Sequence, residues 1–247
     1  MTRYRTPFIT ETDEPRFTDC QFCAGLMLVA DWTDGEAIHD DHGNTLDAPG
    51  LKALRERIRF LSGDTEGGAS LNDLALGIAK RYPDLPPLPR TVAPTDPLRL
   101  TFDELWAKLQ ADHCAVVNGN PIKVKDPSSP LRSMQGNDDY DHAVFLHLAR
   151  ADKAFVMDPL GQGGYRGRWV PKDDLRQFAS RFVTDSGSPY VAMVRRGHQS
   201  SVALLRRKLT AQLKTVQAEL ATAEADIATA RARALDDAVT AIGALRR

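Results

Sequence analysis

The sequence predicts an α+β fold in which helices come first, an antiparallel sheet follows, and one long C-terminal helix ends the chain. Three observations predict it. Near the N-terminus, Cys23, Leu26, Met27 and Ala30 recur at helical spacing. From about residue 114 onward, short β-branched and aromatic runs replace this pattern. Residues 198–247 contain no proline and no aromatic side chain, which is typical of a long helix.

This change in composition divides the chain into a globular domain, residues 1–197, and a helical segment, residues 198–247. The 32 basic and 33 acidic residues leave a net charge of -1, which argues against a general nucleic-acid binder. The longest apolar run, Cys23–Ala30, is too short to cross a bilayer. Three cysteines cannot form a disulfide framework and indicate a reducing compartment. We therefore expect a cytoplasmic protein that binds neither nucleic acid nor membrane.

The first half of the chain carries signals for four helices. The first fits Gln21–Trp32, where Asp19 or Cys20 begins it, and the second follows Pro49-Gly50. Two capping-box sequences, one at Ser70 and one at Thr101, predict the next two helix starts. In this motif a Ser or Thr and an acid three residues later each accept a hydrogen bond from the other's backbone N–H, which satisfies two free N–H groups at the helix N-terminus. The predicted ranges are 21–32, 51–61, 70–81 and 101–110.

The second half carries signals for strands. The run Cys114–Val117 is short and apolar. The runs His142–Leu148 and Ala154–Asp158 are separated by polar residues, so they predict a hairpin with its turn near residues 150–152. His142 begins one arm and Asp158 ends the other, which predicts that they lie opposite or nearly opposite each other. A short helix from Pro171 to about residue 182 and a strand over residues 190–194 complete the domain.

Cys20 is the cysteine best placed to react. At the start of a helix, backbone N–H groups and the helix dipole stabilise an anion, and a thiolate is the nucleophilic form of cysteine. Such a nucleophile needs a base and a group that orients the base. His142 and Asp158 supply an imidazole and a carboxylate in the predicted hairpin.

Three short motifs give the chain a resemblance to a known family. Asp19-Cys20 with Leu26-Met27, then Asp141-His142-Ala-Val144, then Met157-Asp158-Pro-Leu160 resemble, in this order, the motifs of papain-like cysteine peptidases of the bacteriocin-processing (double-glycine peptidase) type. The resemblance spans about residues 15–195, and divergent members occur in phage and bacterial genomes. It implies a papain-like fold, Cys20 as nucleophile, His142 as general base and then acid, and Asp158 as the orienting acid. It implies amide or isopeptide hydrolysis through an acyl-enzyme.

The chain departs from this family pattern around the nucleophile. The family has Gly-Pro after its cysteine, where this chain has Gln21-Phe22. The family also uses a Gln upstream of the cysteine as oxyanion donor, whereas residues 1–19 of this chain contain neither Gln nor Asn. The backbone N–H of Cys20, aided by Gln21, is the candidate replacement. A catalytically degenerate domain, kept as a structural component of a virion or another particle, is therefore the alternative to an active hydrolase.

The remaining cysteines and histidines have simpler interpretations. Cys23 is an alternative nucleophile, but it lies on the apolar stripe of its helix, which favours a core position. Cys114 lies in an apolar strand and is expected in the core, and His113 and His147 are expected to be structural. The loop Asp40–Asn44 lacks the spacing of a calcium loop, and Cys20-x-x-Cys23 lacks a second ligand pair. We expect no metal and no cofactor.

The C-terminal helix carries an apolar seam with alternating spacings of four and three, which indicates a coiled coil. Its members are Leu209, Leu213, Val216, Leu220, Ala223, Ile227, Ala230 and Ala234, with Val202 and Leu205 upstream. We expect residues 202–245 to form a homo-oligomer or to bind a partner helix. The sequence thus predicts a thiol hydrolase that acts on a peptide or a cell-wall peptide. This helix would anchor it to an oligomer or a larger assembly, and a phage-encoded member would be located in the virion.

Overall fold

The computed structural model of the protein describes residues 20–40, 44–64, 69–92, 97–133, 141–159, 167–180, 190–197 and 200–244. The chain divides into two compact units, Met1–Ser201 and Val202–Arg247. The first unit contains helices and a six-stranded antiparallel sheet. The second consists of most of one long helix. An α+β architecture with a long C-terminal helix is therefore confirmed, whereas the coiled coil stays a prediction.

The helices are α1 (Cys20–Trp32), α2 (Ala48–Ser62), α3 (Leu71–Arg81), α4 (Phe102–Gln110), α5 (Pro130–Ser133), α6 (Lys172–Ala179) and α7 (Ser200–Ala244). The strands are β1 (Arg90–Thr91), β2 (His113–Gly119), β3 (His142–Arg150), β4 (Lys153–Met157), β5 (Arg168–Pro171) and β6 (Val191–Arg195). Short 3-10 turns occupy Glu36–Ile38 and Pro121–Lys123.

The sheet has the strand order β1-β6-β2-β3-β4-β5, with every described pairing antiparallel. One apolar core lies between the sheet and α1, α2 and α3, and the other lies on the opposite side with α4 and α6. Both faces of β2 and β3 are therefore covered, which explains the unbroken apolar runs Cys114–Val117 and Ala143–Leu146 in these strands. The hydrophobic pattern alone does not say which helix covers which face.

Helix α1 is buried on all sides, although its sequence predicts a single apolar stripe. Every residue from Gln21 to Trp32 is buried. The helix lies between β2 and β3 on one side and α2 and α3 on the other. Gly25 makes this packing possible, because a Cβ there would lie 2.1 Å from a methyl carbon of Leu74 in α3. Asp31 is the helix's one charged residue, so its composition permits burial all round.

The predicted helix starts are confirmed within a few residues. The Ser70 hydroxyl accepts from the backbone N–H of Asp73, whose carboxylate accepts in return from the Ser70 N–H. Thr101 and Glu104 form the same reciprocal arrangement at α4. The second helix begins at Ala48 instead of Leu51, because Asp47 caps it through a 2.9 Å hydrogen bond from the N–H of Gly50.

The hairpin of β3 and β4 contains a register shift between Leu146 and Leu148. Before the shift Phe145 pairs with Met157, so one more step of the ladder places Asp158 opposite Val144. His142 is therefore diagonal to Asp158, two residues beyond the position directly opposite. A one-residue shift exchanges the two faces of a strand, so without it the alternation would put His142 and Asp158 on different faces.

Candidate active site

Cys20 is the first residue of α1, and its side chain is partly exposed. The backbone N–H groups of a first helical turn point away from the helix body and make no intrahelical bond, so this end of the helix favours negative charge. The rest of α1 is buried, which fixes the position of the helix end relative to the sheet. The nucleophile candidate is thus the accessible end of an otherwise enclosed helix.

His142 and Asp158 form a buried hydrogen-bonded pair. The distance between His142 Nε2 and Asp158 Oδ1 is 2.7 Å, and each side chain is about 1% exposed. Strand β3 supplies the histidine at its first residue, and the carboxylate comes directly after the last residue of β4. Such a short contact is typical of a charge-assisted hydrogen bond between an imidazole N–H and a carboxylate.

The Cys20 sulfur also interacts electrostatically with the His142 ring. Burial by itself would lower the pKa of His142, but the Asp158 carboxylate and the Cys20 sulfur outweigh it and raise that pKa well above its ordinary value. The structure thus links the three predicted residues through the His142 ring.

This arrangement can move a proton. A ring that is charged near neutral pH can stabilise a thiolate beside it and can later donate its proton to a leaving group. The carboxylate holds the ring in one orientation and favours its charged form. A buried acid and imidazole alone could neither stabilise a thiolate nor protonate a leaving group, so the partly exposed thiol of Cys20 is the feature that would give this site a chemical role.

Gln21 is the predicted oxyanion donor, and its environment is unusual. The residue is 2% exposed, and its buried Nε2 atom has no hydrogen-bond partner among the described residues. A buried amide N–H group that lacks a partner costs on the order of 1–3 kcal/mol, and this amide could donate to a substrate oxygen. The segment 1–19, in which the family's upstream Gln would lie, is outside the described residues.

The two other cysteines are core residues. Cys23 is fully buried, and its sulfur lies 3.7 Å from a guanidinium nitrogen of Arg55. Cys114 is also fully buried, and burial raises the pKa of its thiol well above the ordinary value. Sequence reasoning missed Arg55, which is 2% exposed. The available signal was its position among the buried residues Leu54 and Ile58 on one face of α2.

A second histidine–aspartate pair lies away from Cys20. His147 Nδ1 is 2.6 Å from Asp31 Oδ2, near the C-terminal end of α1. The aspartate is 3% exposed and the histidine 26%. Residues 31 and 147 lie 116 positions apart, so sequence spacing gives no signal for this pair. It provides an internal comparison for the site at Cys20, since it joins the same two residue types without a partly exposed thiol.

The described residues contain neither a metal-binding cluster nor a membrane-spanning helix. No group of three or more Cys, His, Asp or Glu side chains that could hold a metal ion occurs in the described part of the chain. Asp40 instead accepts two hydrogen bonds from Asn44, which is the geometry of a polar turn. None of the described helices combines the length and the apolar composition needed to cross a membrane.

Comparison with known proteins gives structural neighbours only. No family model matches the chain, and no curated protein matches it. Seven chains of solved structures match. One is the crystal structure of a Bacillus anthracis protein described as a C39-like peptidase, which is 18% identical over 78% of this chain and 96% of that chain, with a TM-score of 0.45. These values are too low to assign the chain to a family.

Proposed function

We propose that the protein is a thiol hydrolase, a peptidase or amidase of papain-like fold, with Cys20 as nucleophile, His142 as base and acid, and Asp158 as the orienting carboxylate. One observation carries the proposal. The His142 ring is held by a buried 2.7 Å hydrogen bond to Asp158, and the partly exposed Cys20 is among the groups that raise the pKa of this ring.

In the first half of the proposed reaction, the Cys20 sulfur attacks the carbonyl carbon of an amide. The thiol proton resides on His142, so the attacking species is a thiolate beside an imidazolium. The carbon–sulfur bond forms while the carbonyl oxygen takes up negative charge. His142 then donates its proton to the leaving nitrogen, the carbon–nitrogen bond breaks, and a thioester to Cys20 remains.

In the second half, water replaces the amine. His142, now neutral, takes a proton from the water as it attacks the thioester carbon, and the carbon–sulfur bond breaks. The products are a carboxylic acid and the free thiolate with its imidazolium. During both attacks the developing oxyanion needs donors, and the Cys20 backbone N–H and the Gln21 side-chain amide are the candidates.

The proposed substrate is a peptide, either a segment of a protein precursor or a cell-wall peptide. The proposed role of α7 is to attach the catalytic unit to an oligomer or to a larger assembly such as a virion. Its apolar seam is exposed, with Leu213 and Leu220 at 58% and 60%. A helix that leaves such residues in solvent is typical of an association surface.

Alkylation by iodoacetamide at pH 6–7 tests the proposal. An ordinary thiol has only a small thiolate fraction at this pH, because its pKa is about 8.5. Paired with an imidazolium, Cys20 should react roughly tenfold faster than a free thiol. His142→Ala should reduce the rate to that of a free thiol, and peptide mapping should locate the modification at residue 20.

His147→Ala is the matched control, because His147 also pairs with a buried aspartate but belongs to the other histidine–aspartate pair. It should leave the alkylation rate unchanged. If Cys20 reacts no faster than a free thiol in the unmodified protein, the hydrolase proposal is wrong. Equal losses in the two histidine variants would also contradict it, since they would indicate a general effect on folding.

A second candidate function is a catalytically degenerate domain that serves as an interaction module of a virion or another particle. The observation that favours it is the sequence around the nucleophile, with Gln21-Phe22 in place of Gly-Pro and no Gln or Asn in residues 1–19. One missing oxyanion donor lowers the rate by about 10²–10³. A slowly reacting Cys20 in a protein whose α7 still associates would support this alternative.

A further inference from the structure

Helix α7 exposes a regular apolar seam. Its side chains from residue 213 to residue 238 are all exposed within the described structure. Leu213, Leu220 and Ile227 are 58%, 60% and 54% exposed, although they repeat every seven residues along one line. In heptad notation they occupy position a, and Val216, Ala223 and Ala230 occupy position d. A seam of this kind is stable in water when another helix covers it.

Charged residues flank the seam in an unequal distribution. At the g positions, directly before each a residue, the chain has Glu219, Asp226 and Arg233. At the e positions, directly after each d residue, it has Glu224 and Arg231. The acids come first and the bases follow. Because e and g side chains meet across a coiled coil, this order decides which orientation of the two helices is favourable.

A parallel pair of α7 helices would bring like charges together. In that orientation each g residue meets the e residue five positions later on the partner. Asp226 would meet Arg231 of the partner, which is favourable. Glu219 would meet Glu224 of the partner, which is repulsive, and both contacts occur twice in a symmetric dimer. Attraction and repulsion therefore nearly cancel in the parallel arrangement.

An antiparallel pair has a register in which every such contact is attractive. In antiparallel coiled coils e meets e and g meets g. With Ile227 opposite Ala230 of the partner, Glu224 meets Arg231 of the partner and Asp226 meets Arg233 of the partner. The two-fold axis repeats both contacts, so the dimer has four ion pairs. Ala230 of one seam also faces the larger Ile227 of the other, which lets the helices pack closely there.

We propose that α7 forms an antiparallel homodimer with a second copy of this chain, centred between residues 228 and 229. The occupant of the seam is then another α7, selected by charge order and by side-chain size. The N-terminal ends of the two α7 helices lie at opposite ends of the paired region. This inference is independent of the hydrolase proposal, because it rests only on residues of α7.

Distances between spin labels on the full-length chain test the orientation. Thr215 and Thr229 occupy the same outward heptad position, so Thr215→Cys and Thr229→Cys form a matched pair of labelling sites. Cys20→Ser in both removes the partly exposed native thiol, while Cys23 and Cys114 are fully buried. The antiparallel dimer places the two residues 229 nearly level, whereas the two residues 215 lie about 40 Å apart along the axis at ~1.5 Å per residue.

A short distance at residue 229 together with a long one at residue 215 supports the proposal. Short and equal distances at both sites would indicate a parallel pair and would overturn it. The mass of the unlabelled protein in solution gives the second measurement. A dimer is expected, and a monomer, or an oligomer larger than a dimer, would overturn the proposal.

Charge reversal tests the ion pairs. Arg231→Glu with Arg233→Glu should weaken the dimer by at least roughly tenfold in Kd, because four attractive contacts become repulsive. Combining both with Glu224→Arg and Asp226→Arg should restore it. Glu219→Lys is the control, since it would strengthen only a parallel dimer, by replacing the repulsion from Glu224 of the partner. A dimer strengthened by Glu219→Lys, or one insensitive to the double reversal, would contradict the proposed register.

Discussion

Replacing Asp158 by asparagine should lower the stability of the globular unit in a pH-dependent way. The substitution keeps the size of the side chain and an oxygen that can accept from His142, but it removes the charge. In the native protein this carboxylate helps to raise the pKa of His142, against the opposing effect of burial. A histidine whose folded-state pKa is raised stabilises the fold fully at pH values below its unfolded pKa, near 6.5, and this contribution is lost as the pH rises through the folded value.

The expected loss at pH 6 is about 3 kcal/mol. Removing one partner of a buried ion pair costs about 3–5 kcal/mol, and the 1% exposure of both side chains places this pair in that class. The lower end applies because the amide still accepts a hydrogen bond. With a urea m-value of roughly 2–3 kcal/mol/M, the unfolding midpoint should fall by roughly 1–1.5 M.

Urea titrations followed by tryptophan fluorescence measure this loss. All three tryptophans precede α7, so the signal reports the globular unit. Both proteins should carry Cys20→Ser, so that the thiol does not titrate. Asp103→Asn is the control, because Asp103 pairs with Lys172 at the surface and its loss should leave the unfolding midpoint nearly unchanged. If Asp158→Asn leaves the midpoint at pH 6 unchanged, or if both proteins lose stability in parallel between pH 6 and 9, the assigned role of the carboxylate is refuted.

Three further predictions concern the neighbourhood of the site and the core. Gln21→Ala should lower turnover by about 10²–10³ while leaving the alkylation rate of Cys20 unchanged, since alkylation forms no oxyanion; equal effects on both rates would contradict the role of Gln21. Ellman's reagent should modify one of the three cysteines quickly in the folded protein and all three after unfolding, because burial raises the pKa of Cys114 and encloses it; rapid native modification of Cys114 would contradict its core position. Gly119→Ala should lower the free energy of unfolding, measured by urea titration, by roughly 1–3 kcal/mol, because its Cβ would lie 2.3 Å from the Phe178 ring. An unchanged midpoint would contradict this, since it would show that the Phe178 ring moves aside at little cost.

Features that close within a few residues of the chain could be predicted from the sequence. The capping boxes at Ser70 and Thr101 join residues three positions apart, so the sequence contains all of their partners. The two runs that form β3 and β4, with the polar residues between them, predicted the hairpin for the same reason. Asp47 was missed as a cap because Pro49-Gly50 also has the composition of a loop.

The bounds and surroundings of single elements were predicted less well. The stripe of α1 predicted one buried face, but the sheet and two helices enclose it completely. Burial of the second face depends on α2 and α3, which pack over it. The periodicity within α1 does not predict this packing. Arg55 and the pair of Asp31 with His147 were missed for a related reason, since their partners are distant in sequence.

By itself, the sequence determined the residue types of the candidate site, the order of helices and strands apart from the short β1, α5 and β5, and the heptad seam of α7, because local hydrogen bonds and periodic burial determine each of these. Only the tertiary structure decided whether the site assembles. Cys20 influences the pKa of His142, more than a hundred residues away in sequence, because α1 is enclosed between helices and sheet, and no local sequence pattern predicts this packing. The register shift near His147 decides on which face of the sheet His142 lies, because side chains alternate strictly along a strand. With the shift, His142 and Asp158 lie on the same face.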